Sequence, residues 1–113
     1  MSDFNTTLFR ILGERLKKRR FESGLNQEEV AKEIGLGRAS ISNIEVGRHQ
    51  PPLSVIYDLS KLFKTDIQSL LPTYQEVVER INDDNKKVND MLRDMTIPEE
   101  TRASIQKIID ELL

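Results

Sequence analysis

All five glycines lie in the first 47 residues, at Gly13, Gly24, Gly35, Gly37 and Gly47, and none follows. Glycine ends or reverses a helix at little cost, because it enters left-handed backbone without a Cβ penalty. Intervals of about ten residues leave room only for helices of a few turns. No alternating apolar–polar run is long enough to suggest a strand. The chain is therefore expected to be all-α, with short helices and tight turns up to residue 71 and a glycine-free helical segment after it.

The apolar spacing predicts a first helix near 7–22, with Phe9, Leu12 and Leu16 on one face and Gly24 as its C-cap. Asn26 is placed to cap a second helix near 27–34, with Val30, Ala31 and Ile34 inward. Residues 35–37 form a turn. A third helix follows at about 38–46, with Ile41 and Ile44 inward, and then a loop over 47–52. A fourth, near 53–63, carries Leu53, Ile56, Leu59, Leu62 and Phe63. A short fifth, about 66–71, stops at Pro72. Beyond it, residues 73–95 set Val77, Val78, Ile81, Val88, Met91, Leu92 and Met95 near heptad spacing. Asp84 and Asn85 sit where an apolar residue is due. Thr96, Pro98 and Glu99 make a good helix start, as N-cap, first-turn proline and reciprocal acid. The last helix, about 97–113, carries Ile105, Ile108, Ile109 and Leu112 in one stripe.

With 113 residues, the chain makes one domain with at most an appendage. Hydrophobic residues are 37% and charged residues 32%, which is thin for a large core. The absence of cysteine excludes disulfides, thiol catalysis and thiolate metal sites. His49 is the single histidine, too few for a histidine metal site on one chain. No apolar run approaches 18 residues, and the polar start Met1–Thr7, with Asp3, is unlike a signal peptide. A cytoplasmic protein without cofactor, metal or membrane contact is expected.

The net charge of −2 hides an asymmetry. Residues 1–71 hold 11 Lys and Arg against 9 Asp and Glu, net +2; residues 72–113 hold 6 against 10, net −4. Only the first half suits a polyanion.

The most informative stretch is QEEVAKEIGLGRASISNIEV, residues 27–46. Two helices crossing steeply through a short turn need a small residue where they touch, and Ala31 fits. The turn needs a residue at ease with positive φ, and Gly35 fits. Val30, Ile34, Leu36, Ile41 and Ile44 line the inner faces, while Arg38, Ala39, Ser42 and Asn43 leave the second helix polar and slim on its outer side. Together with LNQEEVA, ISNIEVG, Pro52, DLSKLF and DIQSLL, the stretch resembles the helix-turn-helix of the Cro/phage-repressor (XRE) family over roughly residues 8–71.

The resemblance implies a five-helix, lambda-repressor-like DNA-binding domain over 1–71 whose third helix lies in the major groove. Arg38, Ala39 and Asn43 would then meet bases. Arg38 stands at the start of that helix, and its fork suits the O6/N7 edge of guanine. Asn43 suits adenine, and Ala39 a thymine methyl. Gln27 would grip a phosphate at the start of the second helix, where the dipole helps. Ser40, Ser42, Arg48, His49, and Arg19 or Lys17 are further phosphate candidates. The position of Arg20 pairs in the family with that of Glu45, tying the first helix to the third. In the cationic run 17–20, all four side chains cannot face DNA, because the run spans more than one helix face. Glu28, Glu29 and Glu33 are expected to face solvent, with Glu29 and Glu33 near Lys32.

Residues 72–113 are read as an oligomerisation or partner-binding tail. Ile105, Ile108, Ile109, Leu112, Val88 and Leu92 would supply a homodimer interface, with Asp84 and Asn85 setting register. The alternative is that both helices fold back on the DNA-binding domain. Small regulators of the biofilm-repressor type carry a two-helix multimerisation module of this general layout, though no matching motif is present. The expected function is a dimeric repressor on an inverted-repeat operator in double-stranded DNA. The alternative is an antitoxin or restriction-modification controller, whose tail binds a dedicated protein; a toxin or an anti-repressor would be such a partner. No nucleophile–base pair, metal cluster or phosphate loop points to an enzyme, and GLG at 35–37 follows no strand.

Overall fold

The computed structural model describes residues 3–94 and 99–112, and these form seven helices. They are α1 (Asp3–Glu22), α2 (Gln27–Ile34), α3 (Arg38–Glu45), α4 (Leu53–Leu62), α5 (Ile67–Leu70), α6 (Tyr74–Asp94) and α7 (Glu99–Leu112). The expected helices thus form, with a shift at the start of the first. Helix α1 begins at Asp3 and not near residue 7: an acid in its first turn favours the helix dipole, and Phe4 in that turn packs on Tyr74. The expected start of the last helix at Thr96 and Pro98, and Met95 of the heptad stripe, lie outside the described residues.

The turns follow from local chemistry. Gly24, at φ +72°, lets the Leu25 N–H reach back to the Arg20 carbonyl at 3.3 Å. Asn26 then caps α2 reciprocally: its side chain accepts from the Glu29 N–H at 2.8 Å, and its own N–H donates to the Glu29 carboxylate at 3.0 Å. Glu29 is therefore held at the cap and not by Lys32. Gly35, at φ +74°, closes α2, and the Leu36 N–H donates to the Ala31 carbonyl at 2.8 Å.

Leu12, Leu16, Val30, Ala31, Ile41, Ile44, Ile56, Leu59, Phe63 and Leu70 form one buried cluster shared by α1 to α5. Leu53 is exposed, as is Tyr57 four residues on, because the two share the side of α4 turned away from this cluster. Gly13 is not punctuation at all. It is buried in the middle of α1, and a Cβ there would stand 2.4 Å from the Ile44 carbonyl oxygen and 2.6 Å from that of Glu45. Only glycine lets α1 lie this close to the end of α3.

The tail does not leave the domain at residue 72. A reciprocal Thr73–Glu76 cap starts α6, with bonds of 3.1 Å in each direction. The first turns of α6 pack on α1: Val77 is fully buried, and the Phe4 and Tyr74 rings lie 4.8 Å apart. Helix α6 is about 31 Å long in all, at 1.5 Å per residue, and the part beyond these turns projects within a molecule of 54 × 25 × 24 Å extents. Helix α7 packs on α6. The expected single stripe of α7 is divided: Ile105 and Ile109 are half-buried, whereas Ile108 and Leu112 are 58% and 64% exposed. On α6, Val88 and Met91 are exposed, while Leu92, Asp84 and Asn85 are half-buried.

Candidate nucleic-acid interface

Helix α3 has two unlike faces. Ile41 and Ile44 anchor it in the core, and Glu45 is buried beside them. Arg38, Ala39 and Asn43 are exposed on the other side, with Ser40 and Ser42 half-buried. Arg38 and Ser42 are four residues apart, as are Ala39 and Asn43, so the pairs stack along one outward stripe. Among the described residues, the Arg38 side chain makes no hydrogen bond or ion pair. It is a guanidinium held at the entrance of an exposed helix with its donors uncommitted.

The end of α3 is fixed by Gly47 at φ +81°. This residue turns the chain so that the Arg48 and His49 N–H groups both donate to the Asn43 carbonyl, at 2.9 and 3.2 Å. The side chains of Arg48 and His49 stay exposed just beyond the helix. A Cβ at Gly47 would meet the Arg10 Cα at 3.0 Å, so this loop is also pressed against α1.

Under α3 lies an ionic brace. Arg20 of α1 donates from Nε to Glu45 Oε2 at 2.7 Å and from its terminal nitrogen to Oε1 at 3.0 Å. A third bond, to the Leu25 carbonyl at 3.2 Å, satisfies the far side of the guanidinium. Hydrogen bonding by Glu45 outweighs burial and raises the Arg20 pKa, so the guanidinium stays charged. Both partners are buried, and removing one would strand the other, at a cost of about 3–5 kcal/mol.

Gln27 joins this brace. Its amide nitrogen donates to Glu45 Oε1 at 3.1 Å, so the side chain is not free at the helix start as expected. The reason is geometric: the first turn of α2 sits directly over Glu45. Asn26, Gln27, Glu28, Arg20 and Arg38 line a hollow of about 320 Å³ there. Arg20 is neutralised by Glu45, and Glu28 opposes Arg38, so any anion held in the hollow depends on Arg38 and the positive end of α2.

The cationic run divides as its spacing requires. Arg20 turns inward, its guanidinium 4.6 Å from the exposed Phe21 ring, and the Lys17 amine stands 6.0 Å from the same ring. Arg19 is half-buried and loosely paired with Glu22 at 3.9 Å. Among the described residues no cluster of acids or histidines is placed to hold a metal, and no helix is long and apolar enough to cross a membrane.

Residues 16–70 match the helix-turn-helix family model, covering α2 to α5 with the end of α1. An HTH-type transcriptional regulator of Archaeoglobus fulgidus is 34% identical over 56 residues, half of this chain and 80% of that one. The chain belongs to the XRE-type helix-turn-helix transcriptional regulators. The ImmF control region 10 kDa protein of Bacillus phage phi105 is 37% identical over 68 residues, 60% of this chain and 76% of its own length. Among solved structures, the restriction-modification controller C.AhdI of Aeromonas hydrophila is similar, with a TM-score of 0.53 and 28% identity. It matches 56% of this chain and 91% of that protein. The family model ends at residue 70, so α6 and α7 lie beyond it.

Two positions of the interface were not legible as such in the sequence. Gly13 and Gly47 bring α3 and its following loop against α1. A signal for Gly13 does exist: it falls three residues before Leu16 and seven before Arg20, on the same face, and a glycine inside an apolar helical stripe marks a close crossing.

Proposed function

We propose that this regulator is a dimeric repressor that binds an inverted-repeat operator, with one α3 per half-site in the major groove. The observation that carries the reading is the exposed stripe of α3, where Arg38, Ala39 and Asn43 stand free while Ile41 and Ile44 hold the opposite side. Arg38, Ala39 and Asn43 read bases. Gln27, Ser40, Ser42, Arg48 and His49 border the backbone, with Gln27 using its remaining amide hydrogen or its backbone N–H. Lys17 and Arg19 belong to a second, weaker set of phosphate contacts. The first half of the chain is only weakly basic, so non-specific affinity is modest, and specific binding depends on two half-sites held together. Likeness to a phage control-region protein supports the repressor reading.

The dimer forms through the exposed apolar residues that α6 and α7 leave uncovered: Val88, Met91, Ile108 and Leu112. Ile105, Ile109 and Leu92, half-buried, support them from the seam between the two helices. Soluble chains usually cover such residues, and each buried side chain contributes about 1.5–3 kcal/mol. The acidic tail sits away from DNA on electrostatic grounds. Likeness to a restriction-modification controller supports a second reading in which the same DNA-binding mode serves that type of control.

Selection on random duplex DNA tests the proposal. It should return two half-sites related by a dyad, their centres about 34 Å apart or a multiple of it. A selected site without a dyad, bound by one protomer, overturns it.

A further inference from the structure

The DNA-binding domain and the tail are not joined by a flexible linker. Only Leu71, Pro72 and Thr73 separate α5 from α6, and α6 is seated on α1 at once. On α6, Val77 is the one fully buried residue of that seat, with Val78 and Ile81 half-buried beside it and the Tyr74 ring against Phe4. Apolar packing is not directional, and these residues lie at one end of a long helix, so by themselves they set the angle of its far end weakly. Two ion pairs oppose a swivel of that end. Arg80 reaches back to α1 and grips Glu14 with two parallel bonds of 3.2 Å each. Arg15 of α1 pairs with Glu76, whose carboxylate is already fixed by the cap with Thr73. Exposed pairs of this kind add little stability. The two-point geometry of Arg80 on Glu14 supplies direction instead, and the single Arg15–Glu76 bond adds a second tether on a carboxylate the cap already orients.

We propose that the Arg80–Glu14 and Arg15–Glu76 pairs form a clamp that fixes the angle of α6, and thereby sets the distance between half-sites that the dimer accepts. The inference rests on the dimer reading above. From Val77 to Met91 the helix is a lever of about 21 Å, at 1.5 Å per residue. A swivel of about 10° moves its far end by about 4 Å, close to the 3.4 Å rise of one base pair. In a two-fold dimer built at the far end, that error is doubled. A clamped α6 therefore distinguishes operators that differ by one base pair in spacing, and an unclamped one does not. None of the four side chains is on the exposed stripe of α3 or among the exposed apolar residues of the tail.

The test uses the full chain with Arg15→Ala and Arg80→Ala together, which leaves the Thr73–Glu76 cap in place. Binding is measured against a panel of duplexes carrying identical half-sites at varied spacings. The unaltered protein should prefer one spacing by about tenfold or more over its neighbours one base pair away. In the double variant that preference should fall below about threefold, while binding to a single half-site and the sedimenting mass stay unchanged. Glu14→Arg with Arg80→Glu, which rebuilds one pair in reverse, should recover a sharp preference. Undiminished spacing preference in the double-alanine variant overturns the clamp and leaves the dimer reading standing. Loss of the dimer in that variant also overturns it, because the pairs would then belong to the interface. An unaltered chain that sediments as a monomer overturns both.

Discussion

At the scale of single residues, two glycines do opposite jobs. Gly35 needs its left-handed backbone but has open space where a Cβ would go; Gly13 has ordinary helical backbone but no space at all. Alanine separates the two. Gly35→Ala should cost about 1–2 kcal/mol from backbone conformation alone. Gly13→Ala forces α1 off α3 against two carbonyls and should cost about 3 kcal/mol or more. At about 4–8 °C per kcal/mol for a domain of this size, thermal melts will rank them. Equal melting temperatures would show that α1 and α3 are not in this contact. The same scale separates reading from support on the interface. Arg38→Ala should keep the melting temperature, lose about 1–3 kcal/mol at the preferred site and relax one base-pair position. Gln27→Ala should weaken binding on all sequences and also lower the melting temperature, because its amide bonds Glu45. A binding survey across a site library, beside melts of both variants, checks this.

At the scale of elements, the start of α6 is tied to the charge of one carboxylate. The Thr73 N–H, and after it the Arg15 guanidinium, hold the Glu76 carboxyl below its ordinary value of 4.5. A group whose folded pKa is depressed contributes stability above its unfolded pKa and loses it as the pH falls through the folded value. The contribution of Glu76 is therefore complete near neutral pH and disappears in acid, below the ordinary carboxylate range. Glu76→Gln keeps the reciprocal cap, since glutamine also serves at that position. It should melt below the natural chain at about pH 6–7 and converge with it as the pH is lowered towards about 3. A gap that stays constant over that range would mean that the ionised form is not what anchors α6.

At the scale of the whole molecule, the proposed dimer would divide stability from assembly along α6. Its first turns complete the domain, and its far half with α7 carries the exposed apolar residues. A chain ending at residue 86 should retain the α1–α6 seat, sediment as a monomer and melt independently of concentration. The full chain should melt at a temperature that rises with concentration, as expected when association is linked to folding. A chain ending at residue 72 loses Val77 and should melt lower than the one ending at 86, by about 1.5–3 kcal/mol of buried side chain. If the chain ending at 86 is still a dimer at micromolar concentration, the interface lies within the DNA-binding domain.

Much of this fold was legible because its signals are local. A glycine at positive φ, an Asn N-cap and a stripe repeating every three or four residues are settled within one or two turns of chain, so the helices from α2 to α5 and the outward face of Arg38, Ala39 and Asn43 are legible in the sequence, whereas the return bond between Glu29 and that cap is not. The partnership of Arg20 with Glu45 came from family resemblance and not from spacing, since the two are 25 residues apart. What remained hidden depends on chain segments meeting at long range. The glycine inside the apolar stripe of α1 signals a close crossing, but nothing near Gly13 in sequence names α3 as the element whose carbonyl lies 2.4 Å from its missing Cβ. Nothing in the heptad pattern of α6 says that Val77 is buried on α1 while Val88 is left outside, or that Glu14 and Arg80, 66 residues apart, meet. An amphipathic stripe states that a helix needs a partner; packing geometry chooses the partner, and here it assigns one half of α6 to its own domain and leaves the other half open.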